Sequence, residues 1–165
     1  MARVSDEALY QLAEQLGRLL KAKGMMLVTA ESCTGGWTAE RITAVPGSSA
    51  WFDRGFITYT NQSKQDMLDV SAATLEQYGA VSEETVLEMA VGALKHSRAQ
   101  ASLSISGIAG PGGGTPKKPV GTVCIGWCLE GMAPVSTTCR LSGDREEIRS
   151  RAVASALRGL IELLS

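Results

Sequence analysis

The amino-acid sequence predicts an α/β fold class: a single domain with one mixed β-sheet flanked by helices. A chain of 165 residues is long enough for one domain, which at this length buries roughly two-thirds of its unfolded surface. Segments with helical periodicity alternate with short apolar and β-branched runs, an order typical of helices packed on a mixed sheet. No internal repeat, linker or low-complexity tract interrupts this order, so residues 1–165 are assigned to one domain.

The first predicted element is an amphipathic helix over residues 5–23. Its apolar residues recur at the spacing of one helix face: Leu9, Leu12, Leu16, Leu19 and Leu20. Lysines lie in the last turn, and Gly24 follows as a residue that can end a helix in the left-handed conformation. This pattern predicts one helix that packs its leucine face on the core.

Short strands and helices alternate through the rest of the first half. The apolar run 25–30 predicts a buried strand, and residues 56–60, which are aromatic and β-branched, predict a second strand. Helices are expected at 34–44, 61–68, 71–78 and 83–97. Asn61, Ser71 and Ser82 have side chains preferred at helix N-caps, so the last three helices are expected to begin at these residues.

The second half of the chain predicts strands around a loop dense in Gly and Pro, residues 107–119. Strands are expected at 101–106, 121–129 and 135–141, the last two as a hairpin joined at Gly131. Asp144 with Glu147 three residues later is a variant of the capping box, which predicts a last helix reaching Leu164.

Charge and aromatic content argue against a nucleic-acid partner. Sixteen Lys and Arg residues against seventeen Asp and Glu residues give a net charge of −1, and no basic block stands out. Three Trp, three Tyr and two Phe residues are too few for base-stacking platforms. Apolar helix faces at both ends of the chain leave room for a homo-oligomer.

The cysteines and the N-terminus predict a reduced, cytoplasmic protein without a membrane partner. The four cysteines form no CxxC pair and the lone histidine, His96, is distant from them, so neither a metal site nor a cofactor is expected. Cys124 and Cys128 lie in an apolar run and are expected to be buried. The first residues lack the apolar core of a signal peptide, and no stretch approaches the ~20 apolar residues of a membrane span.

The first candidate site is the turn at residues 30–36, directly behind the first predicted strand. It contains Glu31, Ser32, Thr34 and Gly35. Backbone N–H groups at such a strand–helix turn are free to hold an anion or a developing oxyanion. The plainer interpretation is simple N-capping by a hydroxyl, and the paired glycines favour close approach of a ligand.

Two further candidates follow in the next loops. Residues 46–52 place Ser49 on a turn beside an aromatic pair that can seal the core. Tyr59 and Lys64 run off the end of a predicted strand, where α/β proteins bind ligands. A lysine there can act as a general base if burial lowers its pKa, and otherwise it is a solvated helix residue.

Two more candidates lie in the second half. Ser106, Gly107 and Gly110 belong to a strand end and glycine-rich loop that lacks the Gly-Lys-Ser/Thr of a P-loop. Arg145 stands at a predicted helix start, where a guanidinium suits phosphate or carboxylate. Together the five turns predict a site for a phosphorylated small molecule, with Ser and Lys available for acyl chemistry.

Seven segments closely resemble the CinA C-terminal domain family, in the order that the family has them. They are AESCTGG (30–36), PGSSAWF (46–52), GFITYTN (55–61), GAVS (79–82), SGIAGPGG (106–113), KPVGTV (118–123) and SGDR (142–145). The resemblance covers nearly the whole chain and fits the stand-alone type, which lacks the larger N-terminal domain of full-length CinA proteins.

The resemblance implies an amidohydrolase that converts nicotinamide mononucleotide to nicotinic acid mononucleotide and ammonia by a serine–lysine mechanism without a metal. It makes Lys64 the general base, Tyr59 an orienting partner, and Arg145, Gly107 and Gly110 ligands of the phosphate and ribose. The nucleophile is either Ser32 or Ser49, and the motifs do not decide between them. The alternative is a family member without activity that acts as a nucleotide-binding or competence- and damage-associated interaction module.

Overall fold

A five-stranded mixed sheet lies at the centre of the computed structural model, which describes residues 2–165. The strands are β1 (Leu27–Glu31), β2 (Phe52–Ile57), β3 (Ala101–Gly107), β4 (Thr122–Leu129) and β5 (Val135–Arg140). They form the order β2-β1-β3-β4-β5. Strand β1 is parallel to β2 and β3, whereas β4 is antiparallel to β3 and β5. The predicted α/β class with one mixed sheet is confirmed.

The helices follow the predicted sequence of elements. They are α1 (Asp6–Ala22), α2 (Trp37–Thr43), α3 (Asn61–Leu68), α4 (Ala72–Tyr78), α5 (Glu83–Lys95) and α6 (Arg145–Leu164). Ser71, Ser82 and Asp144 cap their helices as predicted, because each side chain accepts a hydrogen bond from the backbone three residues on. None of the helices in residues 2–165 is long and apolar enough to span a bilayer.

Two apolar layers hold the helices against the sheet. On one face, α6 packs against β3 and β4, with core residues such as Leu103 and Ile125, while α2 packs against β1 and β2 and α1 packs on α6 and α2. On the other face, α3, α4 and α5 pack against Val28 and Ala30 of β1 and against Cys124 of β4. The helices therefore cover both faces of the sheet and leave its edges open to loops. Cys124 and Cys128 are buried, as predicted.

Two elements, β2 and α2, differ most from their predicted bounds. Strand β2 begins at Phe52 and ends at Ile57, not at 56–60, because it is an edge strand whose polar middle residues lie exposed and give no apolar signal. Residues 58–60 instead lead into α3, and Thr60 rather than Asn61 is its N-cap. Helix α2 begins at Trp37 rather than at residue 34, because Gly35 and Gly36 adopt left-handed conformations in the preceding turn.

The strand directions bring the predicted site loops together. Strands β1, β2 and β3 are parallel, so the residues that follow them lie at the same edge of the sheet. Strand β5 runs in the same direction as β3, since both are antiparallel to β4. Helix α6, which follows β5, therefore also begins at this edge.

Candidate active site

Ser32 and Lys64 form a buried pair at the carboxyl edge of the parallel strands. Ser32 follows β1, Lys64 is the fourth residue of α3, and Lys64 Nζ lies 3.0 Å from Ser32 Oγ. Nζ also donates a 2.7 Å hydrogen bond to the carbonyl oxygen of Thr58. Only 1% of Lys64 is exposed, and no carboxylate in residues 2–165 forms an ion pair with it.

Burial without a countercharge changes the protonation of this lysine. Removal from water disfavours the ammonium form and lowers the pKa of Lys64 to about 8. A substantial fraction of the amine is therefore neutral near physiological pH, and the neutral amine can accept a proton from the serine hydroxyl 3.0 Å away. This arrangement gives Ser32 a general base within hydrogen-bond distance.

Hydrogen bonds to the buried Glu31 carboxylate hold the turn that carries Ser32 in place. The Glu31 carboxylate is 1% exposed and accepts hydrogen bonds from Thr34 Oγ1 (2.6 Å), Thr38 N (2.9 Å) and Ala39 N (3.1 Å). It satisfies backbone donors at the start of α2, which has no side-chain N-cap of its own. Glu31 and Thr34, predicted as substrate ligands, thus lie beneath the turn and support it.

Two backbone amides of the same turn have no acceptor. The N–H group of Ser32 donates to the carbonyl of Ile105 at 3.0 Å, and that of Gly35 donates to Ser32 at 3.0 Å, closing the turn. Those of Cys33 and Thr34 donate to no oxygen in the part of the chain that the structure describes. Free amides directly after a nucleophilic serine are suited to hold an oxyanion.

A pocket of about 240 Å³ opens above the Ser32–Lys64 pair. Six predicted site residues line it: Ser32, Tyr59, Lys64, Ser106, Gly107 and Arg145. Cys33, Ala80, Val81 and Ala109 complete the wall. Wider depressions of about 420 and 470 Å³ contain neither Ser32 nor Lys64, although the second shares Arg145 with this pocket.

Arg145 forms one side of the pocket. Its guanidinium donates to the carbonyl of Gly110 at 2.7 Å and to the Tyr59 hydroxyl at 3.3 Å. These contacts join the glycine-rich loop, the segment after β2 and the start of α6. They leave part of a cationic side chain directed at the site, where an anionic group of a ligand would lie.

The structure does not bring Ser49 to this pocket. Ser49 lies in a short 3₁₀ turn, Ser48–Ala50, whose next residue, Trp51, accepts a hydrogen bond from the N–H of Leu27 at 2.8 Å. Leu27 is the first residue of β1, whereas Ser32 follows its last residue. The two candidate nucleophiles therefore stand at opposite ends of one strand, and Lys64 contacts Ser32.

Two residues near the pair received no role in the sequence interpretation. Arg149 donates to the carbonyls of Cys33 (2.9 Å) and Thr34 (3.2 Å), tying α6 to the Ser32 turn. Its position one helical turn after Arg145 is a signal that periodicity could have provided. Burial raises the pKa of the Cys33 thiol to about 11, so this thiol is neutral and a poor nucleophile at neutral pH.

Metal chemistry has no evident donor set. Within residues 2–165 no group of three or more His, Cys, Asp or Glu side chains is placed to hold a metal ion. The polar side chains that line the pocket carry three hydroxyls, a thiol, an amine and a guanidinium: those of Ser32, Tyr59, Ser106, Cys33, Lys64 and Arg145.

A mixed α/β domain with a serine–lysine pair in a pocket at its carboxyl edge belongs to the α/β proteins that bind small molecules at strand ends. Residues 9–164 match the CinA C-terminal domain, and the chain belongs to this family. A protein of Escherichia coli (strain K12) named nicotinamide-nucleotide amidohydrolase PncC is 52% identical over 157 residues, 95% of each chain. The Pseudomonas putida protein of that name is 47% identical over 152 residues, 92% of this chain and 94% of its own.

The fold of the family extends over the whole chain. The crystal structure of the competence/damage inducible protein CihA from Agrobacterium tumefaciens superposes with a TM-score of 0.94 at 43% identity. The superposition covers 100% of this chain and 99% of that protein.

Proposed function

We propose that this protein is an enzyme that hydrolyses the carboxamide of nicotinamide mononucleotide to nicotinic acid mononucleotide and ammonia, with Ser32 as nucleophile and Lys64 as general base. The observation that carries the proposal is the 3.0 Å contact between Lys64 Nζ and Ser32 Oγ inside a pocket. Relatives that share about half of its residues over nearly its whole length are named for this reaction.

The first half of the reaction uses the buried pair. The neutral amine of Lys64 takes the Ser32 proton as Oγ attacks the carboxamide carbon, and the carbonyl oxygen becomes an oxyanion. The free amide of Cys33, a residue that lines the pocket, stabilises this oxyanion. Lys64 then protonates the leaving nitrogen, ammonia departs, and nicotinate remains bound to Ser32 as an ester.

The second half repeats these steps with water. Lys64, neutral again, removes a proton from a water molecule that attacks the ester carbonyl, and Ser32 leaves as the free hydroxyl after receiving that proton. The same amide stabilises the second oxyanion. One general base thus serves both half-reactions, as in other serine hydrolases.

Arg145, Gly107 and Gly110 hold the phosphate and ribose in this proposal. Arg145 lines the pocket without a carboxylate partner among the described residues, and Gly110 and Tyr59 hold its guanidinium in place. A dianionic phosphate is the group that a guanidinium at a pocket wall binds best. With the phosphate at Arg145, the carboxamide would reach Ser32 in the same pocket.

The test is ammonia release from nicotinamide mononucleotide by the purified protein. Ser32→Ala and Lys64→Met are each expected to lower kcat by about 10³-fold or more. Ser49→Ala is the matched control, since it removes the same hydroxyl from the far end of β1, and it should retain activity within about twofold. If the wild-type protein binds the nucleotide without releasing ammonia, a nucleotide-binding role replaces the enzymatic one.

A further inference from the structure

Strand β3 directs a row of three serines toward α5. Ser102, Ser104 and Ser106 alternate along the strand and are all buried. Ser102 Oγ donates to the carbonyl of Ala90 at 2.8 Å, and Ser104 Oγ donates to that of Val86 at 2.6 Å. Two residues along the strand correspond to four along the helix, so these serines bind successive turns of α5.

Ser106 is the member of the row that does not bind the helix. The same step would bring it to Ser82, the N-cap of α5, where the helix begins. The Ser106 hydroxyl makes no hydrogen bond to any group in residues 2–165, although the residue is only 1% exposed. The Ser106 oxygen is not fully enclosed by protein, and the residue lines the ligand pocket, so this hydroxyl is available to a ligand.

The strand register places Ser106 beside the nucleophile. Glu31 of β1 pairs with Ile105 of β3, so the next residues on the two parallel strands, Ser32 and Ser106, are neighbours on the same face. The N–H of Ser32 donates to Ile105, which fixes this register at the active end. A carboxamide attacked by Ser32 would therefore lie against the Ser106 hydroxyl.

We propose that Ser106 is a further catalytic residue, whose hydroxyl accepts a hydrogen bond from the leaving –NH₂ group and holds that nitrogen in the orientation for protonation by Lys64. The inference rests on the proposed amidohydrolase function. In the tetrahedral intermediate, nitrogen has two N–H bonds and one lone pair, and only rotation about the C–N bond decides where the lone pair points. With one N–H directed at Ser106 Oγ, the lone pair faces the Lys64 ammonium.

The tetrahedral intermediate collapses by one proton transfer and one bond cleavage. The Lys64 ammonium transfers one proton to nitrogen, the C–N bond breaks, and its electron pair leaves with ammonia. The oxyanion re-forms the carbonyl of the Ser32 ester. Ser106 keeps its own proton throughout, and Lys64 returns to the neutral amine. An ester substrate presents no N–H group, so its hydrolysis does not use the Ser106 contact.

The test compares amide and ester hydrolysis in one variant. Ser106→Ala should lower kcat for nicotinamide mononucleotide by about 10- to 100-fold, while kcat for the methyl ester of nicotinic acid mononucleotide changes by less than about twofold. Ser106→Thr, which restores a hydroxyl, should recover most of the amide activity. Ser104→Ala is the matched control, because it removes a serine bound to α5 and should affect both substrates equally.

Each outcome decides the inference. If Ser106→Ala lowers both activities together, or raises only KM, Ser106 supports the pocket or binds the nucleotide and the proposal fails. Unchanged amide hydrolysis also overturns it. If Ser106→Ala does not fold, Ser106→Cys keeps the volume with a weak acceptor and should show the same selective loss. A wild-type protein inactive on the amide instead refutes the proposed function itself.

Discussion

Gly92 of α5 lies directly against the main-chain carbonyl of Leu68, the last residue of α3. A Cβ atom at position 92 would overlap Leu68 O, and the nearest atoms are all backbone. Lys64 stands one helical turn before Leu68 on the same helix. The close approach of α5 therefore sets how deeply α3 and its lysine lie over the sheet.

We predict that Gly92→Ala destabilises the protein although alanine favours helices by about 1 kcal/mol over glycine. The overlap is with backbone, which cannot rotate away, so α3 must move and the free energy of unfolding should fall by about 2 kcal/mol. Urea unfolding measures this change. Gly112→Ala is the control, because a Cβ there meets nothing within 4 Å. Equal stability of the two variants would show that α3 shifts freely.

We predict that kcat/KM rises with pH and levels off near the pKa of Lys64. The active form is the neutral amine, and burial lowers its pKa to about 8. Below that value activity should fall about tenfold for each pH unit, since protonation removes the base, and above it activity should be constant until another group titrates.

Rates of ammonia release from about pH 6 to about pH 10 test this dependence. The residual activity of Lys64→Met should lack the rise with an inflection near pH 8. Activity that is independent of pH over this range, or that decreases as the pH rises through 8, would contradict the assignment of Lys64 as general base.

Local patterns predicted most of the fold, because helix caps and apolar periodicity are properties of neighbouring residues. The periodic leucines predicted α1, and the capping residues Ser71, Ser82 and Asp144 predicted where their helices begin. The sequence pattern predicts strand β2 too late in the chain because its polar residues Asp53 and Arg54 follow no apolar alternation.

The candidate site depends on which strand ends meet, and a single sequence does not contain that information. Ser49 is closer to Lys64 in sequence than Ser32 is, yet Ser32 contacts the lysine because both follow parallel strands at one edge. Glu31 is adjacent to Ser32, but alternation along β1 turns it to the opposite face, under α2. The Ser106 hydroxyl could be distinguished from that of Ser104 only after α5 was in place.

We predict that Arg145 recognises the phosphate of the substrate through its side chain. Asp144 and Glu147 satisfy each other's backbone amides in a capping box at the start of α6, which makes the helix end itself a poor anion site. Arg145→Gln should raise KM for nicotinamide mononucleotide by about 10- to 100-fold, because a charge-assisted hydrogen bond is lost. Nicotinamide riboside, which has no phosphate, should be hydrolysed equally by both proteins.

Arg140→Gln, a change at an exposed arginine outside this pocket, is the control and should leave KM unchanged. An equal loss on both substrates would instead indicate that Arg145 acts by holding Tyr59 and Gly110 in place.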